Sequence, residues 1–135
     1  MYVVNEEGAS APAKRPARLL VVEDEVIIRL FVSDMLRDAG YDVIEAASGD
    51  EALDILKAGI SVDLVLSDMR MPGSTDGLAL LAFVRYNFVE LPVIITSGHL
   101  APGTAIAEGA VHFLPKPYDI GDALKVVEAE VAKLG

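Results

Sequence analysis

Short apolar runs alternate along the chain with stretches in which apolar residues return every three or four positions. Leu19 to Val22 is a continuous apolar run of strand length that stops at Glu23, Asp24 and Glu25. From Glu25 to Ala39 the apolar residues Ile28, Phe31, Val32, Met35, Leu36 and Ala39 keep one helical face, and Gly40 supplies the stop. Tyr41 to Ala46 reads as a second strand, and Gly49 to Ala58, with Ala52, Ile55 and Leu56 on one face, as a second helix. Val62 to Ser67 is a third strand. A helix from Gly77 to about Tyr86 follows, with Asp76 as its N-cap. Leu91 to Thr96 and Val111 to Leu114 read as strands four and five. Ile120, Ala123, Leu124, Val127, Val131 and Leu134 then form a last helical stripe with Asp119 as cap. Between Ser97 and Val111 only about Thr104 to Glu108 suits a helix, a turn or so. Residues 1–17 show neither periodicity and are expected to form a flexible tail.

Five strand–helix units joined by short loops predict a doubly wound parallel α/β sheet with right-handed crossovers and helices on both faces. In such a sheet the C-terminal ends of all strands open on one edge. Glu23, Asp24, Asp68, Ser97 and Lys116 should therefore converge although they are far apart in sequence.

Composition narrows the possibilities. At 135 residues and 53% hydrophobic content the chain fits one folded domain with elements buried on more than one side. It has no cysteine, which excludes disulfides, thiolate metal sites and thiol nucleophiles. A net charge of -10 with scattered Lys and Arg argues against a nucleic-acid surface. No apolar run is long enough to span a membrane and no secretion signal is present, so the expectation is a soluble cytoplasmic protein.

The chemistry is in the convergent set. Three carboxylates placed together repel one another unless a cation sits among them, and all-oxygen ligation suits Mg²⁺. A hydroxyl and an ammonium beside them suit a phosphoryl oxygen. Mg²⁺-assisted phosphoryl transfer onto Asp68 is the reaction these groups point to.

These residues also carry a resemblance. The acid pair Glu23-Asp24 after strand one, Asp68 followed by Met71-Pro72-Gly73, Ser97-Gly98 after strand four, and Lys116-Pro117 after strand five are together similar to the receiver domain of bacterial response regulators, over about residues 18–134. The resemblance implies a flavodoxin-like sheet of order 2-1-3-4-5. It implies a phosphoryl group taken by Asp68 from a histidine kinase or histidine phosphotransfer protein. Asp24 and Asp68 would bind Mg²⁺ directly, Glu23 through water, and the Arg70 backbone carbonyl would complete the shell. Lys116 would pair with the acceptor, while Ser97 and the aromatic Phe113 would form the switch that alters a partner-binding surface. Pro117 is a candidate for a cis peptide bond.

Three features depart from the family pattern. Phe113 replaces the frequent tyrosine, two residues (Ser74 and Thr75) separate Gly73 from Asp76 where one is usual, and the segment from Ser97 to Lys116 is several residues short. The length leaves no room for an output domain, so the expectation is a stand-alone receiver, terminal or acting as a phosphate-relay intermediate, and not a turnover enzyme. An Asp-nucleophile phosphatase would want a second acid two residues after Asp68, where Arg70 stands. A flavodoxin-like phosphate binder would want glycine and hydroxyls where the chain has Glu23-Asp24-Glu25.

Overall fold

The computed structural model describes residues 2–4, 10–12, 15–71, 73–98 and 102–134. Five strands, β1 (Arg18–Val22), β2 (Asp42–Ala46), β3 (Leu64–Asp68), β4 (Val93–Ser97) and β5 (His112–Pro115), alternate with five helices, α1 (Val26–Asp38), α2 (Gly49–Lys57), α3 (Gly77–Asn87), α4 (Pro102–Ala107) and α5 (Ile120–Ala132). All neighbouring strands are parallel and their order is β2-β1-β3-β4-β5. This is the doubly wound sheet expected from the alternation. The chain leaves β1 toward one edge for β2 and toward the other for β3, so a crevice opens at the C-terminal ends of β1 and β3.

Strand periodicity divides the core into two layers. Leu20, Val22, Val65, Val93, Ile95 and Phe113 face α2, α3 and α4, packing with Ala52, Leu56, Leu80, Leu81, Val84 and Ala105. Leu19, Val21, Val43, Leu64, Leu66, Ile94 and Leu114 face α1 and α5, packing with Val32, Leu36, Ala123 and Val127. Because β1, β3 and β4 are buried on both sides, they carry unbroken apolar runs (Leu19–Val22, Leu64–Leu66, Val93–Ile95) and not alternation.

The predicted caps form. Asp76 accepts from the Ala79 N–H at 2.8 Å, Asp119 from the Gly121 N–H at 2.7 Å, and Gly40 takes the left-handed conformation after α1 at φ 100°. β4 starts at Val93 and not at Leu91, because Pro92 has no N–H for the ladder and contributes only its carbonyl, to Val65 N–H at 3.0 Å. β3 starts at Leu64, two residues later than expected, where the Asp63 carboxylate is engaged with the Arg18 N–H.

The fourth helix is short, as the sequence implied, but starts two residues earlier at Pro102, a residue favoured at the first helical position. It ends at Ala107, and Gly109 follows in the left-handed conformation at φ 106°, where a Cβ would press on the Arg85 side chain. Residues 99–101 lie outside the described residues, as do 1, 5–9, 13 and 14 of the expected tail. In that tail Tyr2–Val4 and Ser10–Pro12 pair as antiparallel strands, which the sequence pattern does not announce. Strands of three residues are too short to display a period.

Candidate functional site

Three strand ends and one loop build the site. Glu23 follows β1 and is held by its backbone: its N–H donates to the Ala46 carbonyl at 3.0 Å, and its own carbonyl accepts from Arg29 Nη1 at 2.9 Å. Asp68 is the last residue of β3, in register with Thr96 of β4. The Lys116 N–H donates to the Ser97 carbonyl at 2.9 Å, which fixes the ends of β4 and β5 side by side. The peptide bond between Lys116 and Pro117 is cis.

From this frame the Lys116 ammonium reaches back across the sheet edge. Nζ lies 3.0 Å from Glu23 Oε1 and 3.1 Å from Asp68 Oδ2. Glu23 and Asp68 are only 5% and 8% exposed, so these are buried ionic contacts and not surface pairs. Glu23, Asp24 and Asp68 each offer a carboxylate oxygen within 4.8 Å of the others, the one such group of three among the described residues. Asp68 Oδ1 accepts from the Met69 N–H at 2.8 Å.

The electrostatics follow from this crowding. Burial, then a proton shared with Asp68, pushes the Glu23 carboxyl up to about 7, against the pull of Lys116. Burial also works against the charge on Lys116. Its hydrogen bonds to Glu23 and Asp68 outweigh that and hold the ammonium above its ordinary value. Glu23 Oε2 is buried with no hydrogen-bond partner among the described residues. An orphaned carboxylate oxygen beside two further acids, with one ammonium in contact, is a donor set suited to a small divalent cation such as Mg²⁺.

Asp24 and Asp68 line a pocket of about 640 Å³ together with Arg70, Ser97, Lys116, Tyr118 and the apolar Ile27, Ile28 and Phe31 of α1; Glu23 does not line it. Asp24, Asp68, Arg70, Ser97 and Lys116 of the predicted set therefore line one pocket, with Glu23 in contact through Lys116 Nζ. Phe113 does not line this pocket; it is a residue of β5, buried in the layer facing α2, α3 and α4. Ser97 is almost wholly buried at the pocket floor.

Two residues of the site went unread in the sequence. Arg29 grips the Glu23 carbonyl and the Glu45 carboxylate, the latter at 3.3 Å. Its signal was a cation in the first turns of a helix, the end where the dipole disfavours one. Tyr118 lines the pocket with a phenol raised by burial; an aromatic after Lys116-Pro117 carries no pattern that announces it.

Comparison with known proteins agrees with this geometry. A family model described as the response regulator receiver domain matches residues 19–128. The DNA-binding transcriptional regulator NtrC of Klebsiella pneumoniae is 39% identical over 115 residues, covering 83% of this chain and 24% of that protein. The transcriptional regulatory protein PdtaR of Mycobacterium tuberculosis is 32% identical over 126 residues, covering 91% and 60%. The chain thus spans about a quarter of the length of the NtrC relatives and less than two thirds of PdtaR. Among solved structures, the receiver domain of NtrX from Brucella abortus superposes with a TM-score of 0.78 at 36% identity, covering 84% of this chain and 98% of that one. No helix among the described residues is long and apolar enough to cross a membrane.

Proposed function

The chain belongs to the response regulator receiver domain family, and from that premise we propose that it accepts a phosphoryl group on Asp68 from a phosphohistidine protein. The observation that carries this is the buried arrangement of Asp68 between Lys116 and two further acids, with Asp68 Oδ2 3.1 Å from Lys116 Nζ. An Asp68 carboxylate oxygen attacks phosphorus; the P–O bond forms as the P–N bond breaks, and the imidazole nitrogen leaves with the electron pair.

Glu23, Asp24, Asp68 and the Arg70 carbonyl are the groups that would hold Mg²⁺, which when bound supplies charge neutralisation for the transferring oxygens. Lys116, in contact with Glu23 and Asp68, supplies a fixed positive charge. Ser97, which lines the same pocket, would donate to a phosphoryl oxygen on Asp68. The protein is then modified and reset once per cycle and does not turn over free substrates.

A protein donor suits the entrance. Ile27 and Phe31 of α1 are 83% and 62% exposed and stand beside the pocket, an apolar rim that a donor helix can cover as it brings its histidine to Asp68. Incubation with acetyl phosphate and Mg²⁺, followed by intact mass and peptide mapping, tests the reading. A Mg²⁺-dependent adduct on Asp68, lost with a chelator, is the expected result; an adduct elsewhere, or one indifferent to chelator, would overturn it.

A further inference from the structure

The loop that leaves Asp68 is tied down from outside its own element. Asp50, the second residue of α2, accepts from Thr75 Oγ1 at 2.6 Å, from Ser74 Oγ at 2.8 Å and from the Ser74 N–H at 3.2 Å. An acid in the first turn of a helix ordinarily faces that helix's own N–H groups or water. Here both carboxylate oxygens are engaged by residues 24 and 25 positions away. The two hydroxyls, Thr75 first, hold the Asp50 carboxyl below its ordinary range.

Shape reinforces the bonds. Gly49 abuts the Thr75 carbonyl so closely that no Cβ fits, and a Cβ on Gly73, whose φ is 99°, would lie 2.7 Å from Asp50 Oδ2. Thr75 is buried in this contact. At its other end the loop is held to the acceptor strand, by the Met69 N–H on Asp68 Oδ1 and by the Gly77 N–H on the Met69 carbonyl, both at 2.8 Å. Between these attachments runs Arg70, at the mouth of the acid pocket. The position where this chain has one residue more than the family pattern is therefore the position where a neighbouring helix supplies an anchor.

We propose that Asp50 is a positioning residue for the acceptor loop: by clasping Ser74 and Thr75 against the first turn of α2 it keeps the Arg70 segment in place and so sets how tightly the acid pocket takes a divalent cation. The affinity half rests on the function proposed above; the clasp itself does not.

Hydrogen exchange on the metal-free full chain reads the clasp directly. Asp50→Ala should speed exchange of the hydrogen-bonded Ser74 and Gly77 amides by about tenfold or more, the loss expected when hydrogen bonds to a charged acceptor go. Thr75→Val keeps the charge, removes the shortest bond, and should give the same pattern at a smaller factor, which keeps the test alive if Asp50→Ala folds poorly. Glu51→Ala removes the neighbouring acid of the same helix turn, which makes no clasp contact, and should match wild type. By calorimetry the Mg²⁺ dissociation constant of Asp50→Ala should rise about three- to tenfold, while adduct yield on Asp68 at saturating Mg²⁺ stays at the wild-type level. Unchanged exchange in Asp50→Ala, or equal acceleration in Glu51→Ala, would overturn the clasp. Altered exchange with unaltered Mg²⁺ affinity would overturn the coupling. A wild-type chain that binds no Mg²⁺ would sink the receiver function and the affinity half with it, while the exchange comparison still decides the clasp.

Discussion

The two ends of the same sheet carry the same kinds of charged residue and use them in opposite ways. At the N-terminal edge Arg18 pairs with Asp42 at 2.7 Å, its N–H donates to Asp63, and Arg15 reaches Asp63 at 4.0 Å. Two cations meet two acids, and each group keeps part of its surface in water. At the C-terminal edge Glu23 and Asp68 are buried with Asp24 beside them, and a single ammonium touches two of the three. The first arrangement is balanced and solvated, and asks for nothing more. The second is left with excess negative charge in a place where charge is expensive. That imbalance, and not the presence of acids, separates the end with the candidate site from the other.

The contrast can be tested from its largest effect downward. Asp68→Asn should abolish the acetyl-phosphate adduct completely, whereas Asp63→Asn, at the other end of the same strand segment, should leave the adduct mass and yield as in wild type. Equal yields in the two variants would mean the acceptor is elsewhere. Next, Lys116→Ala should cost roughly 3 kcal/mol in urea unfolding of the chelated protein at pH 8, because it leaves two buried acids without their cation. The cost should shrink toward pH 6 as Glu23 takes up a proton.

Glu23 itself gives the third test. Its folded value, about 7, lies above the ordinary 4.5, so the folded state binds this proton more tightly than the unfolded one. Stability of the metal-free protein should therefore be highest below about pH 4.5 as far as this group is concerned, and decline as pH rises through about 7. Glu23→Gln removes the charge and should flatten that decline, gaining roughly 2 kcal/mol at pH 8. A variant that shows the wild-type slope would mean Glu23 is not the group responsible. Last and smallest, Arg18→Ala at the exposed edge should change stability by no more than about 1 kcal/mol, and less in high salt.

Much of the site was legible because it depends on topology. Once Leu19–Val22 and Val62–Ser67 are read as buried parallel strands, Glu23 and Asp68 must share an edge, whatever separates them in sequence. The caps Asp76 and Asp119 and the stop at Gly40 were legible too, since each acts within its own turn of chain. Contacts made by exposed side chains across elements left no such trace. Asp50 reads as an ordinary first-turn acid of α2, and nothing local says that Ser74 and Thr75 come to it. The grip of Arg29 on the Glu23 carbonyl is hidden for the same reason. Pro102 as the first residue of α4 was obscured by the proline-glycine pair, a stronger signal for a turn than for a helix start.

Phe113 has a consequence in terms of populations. Its ring is 7% exposed and packed in the core layer, with no hydroxyl to seek water. Moving such a ring out to solvent costs about 2 kcal/mol, so the outward rotamer occupies only a few per cent of molecules before any phosphoryl group arrives. Aromatic resonances of Phe113 should then barely shift on phosphorylation; a large shift would mean the outward state is well populated after all. A message written as the inward turn of this ring has almost no unspent population to draw on, so its dynamic range must come from other parts of the molecule.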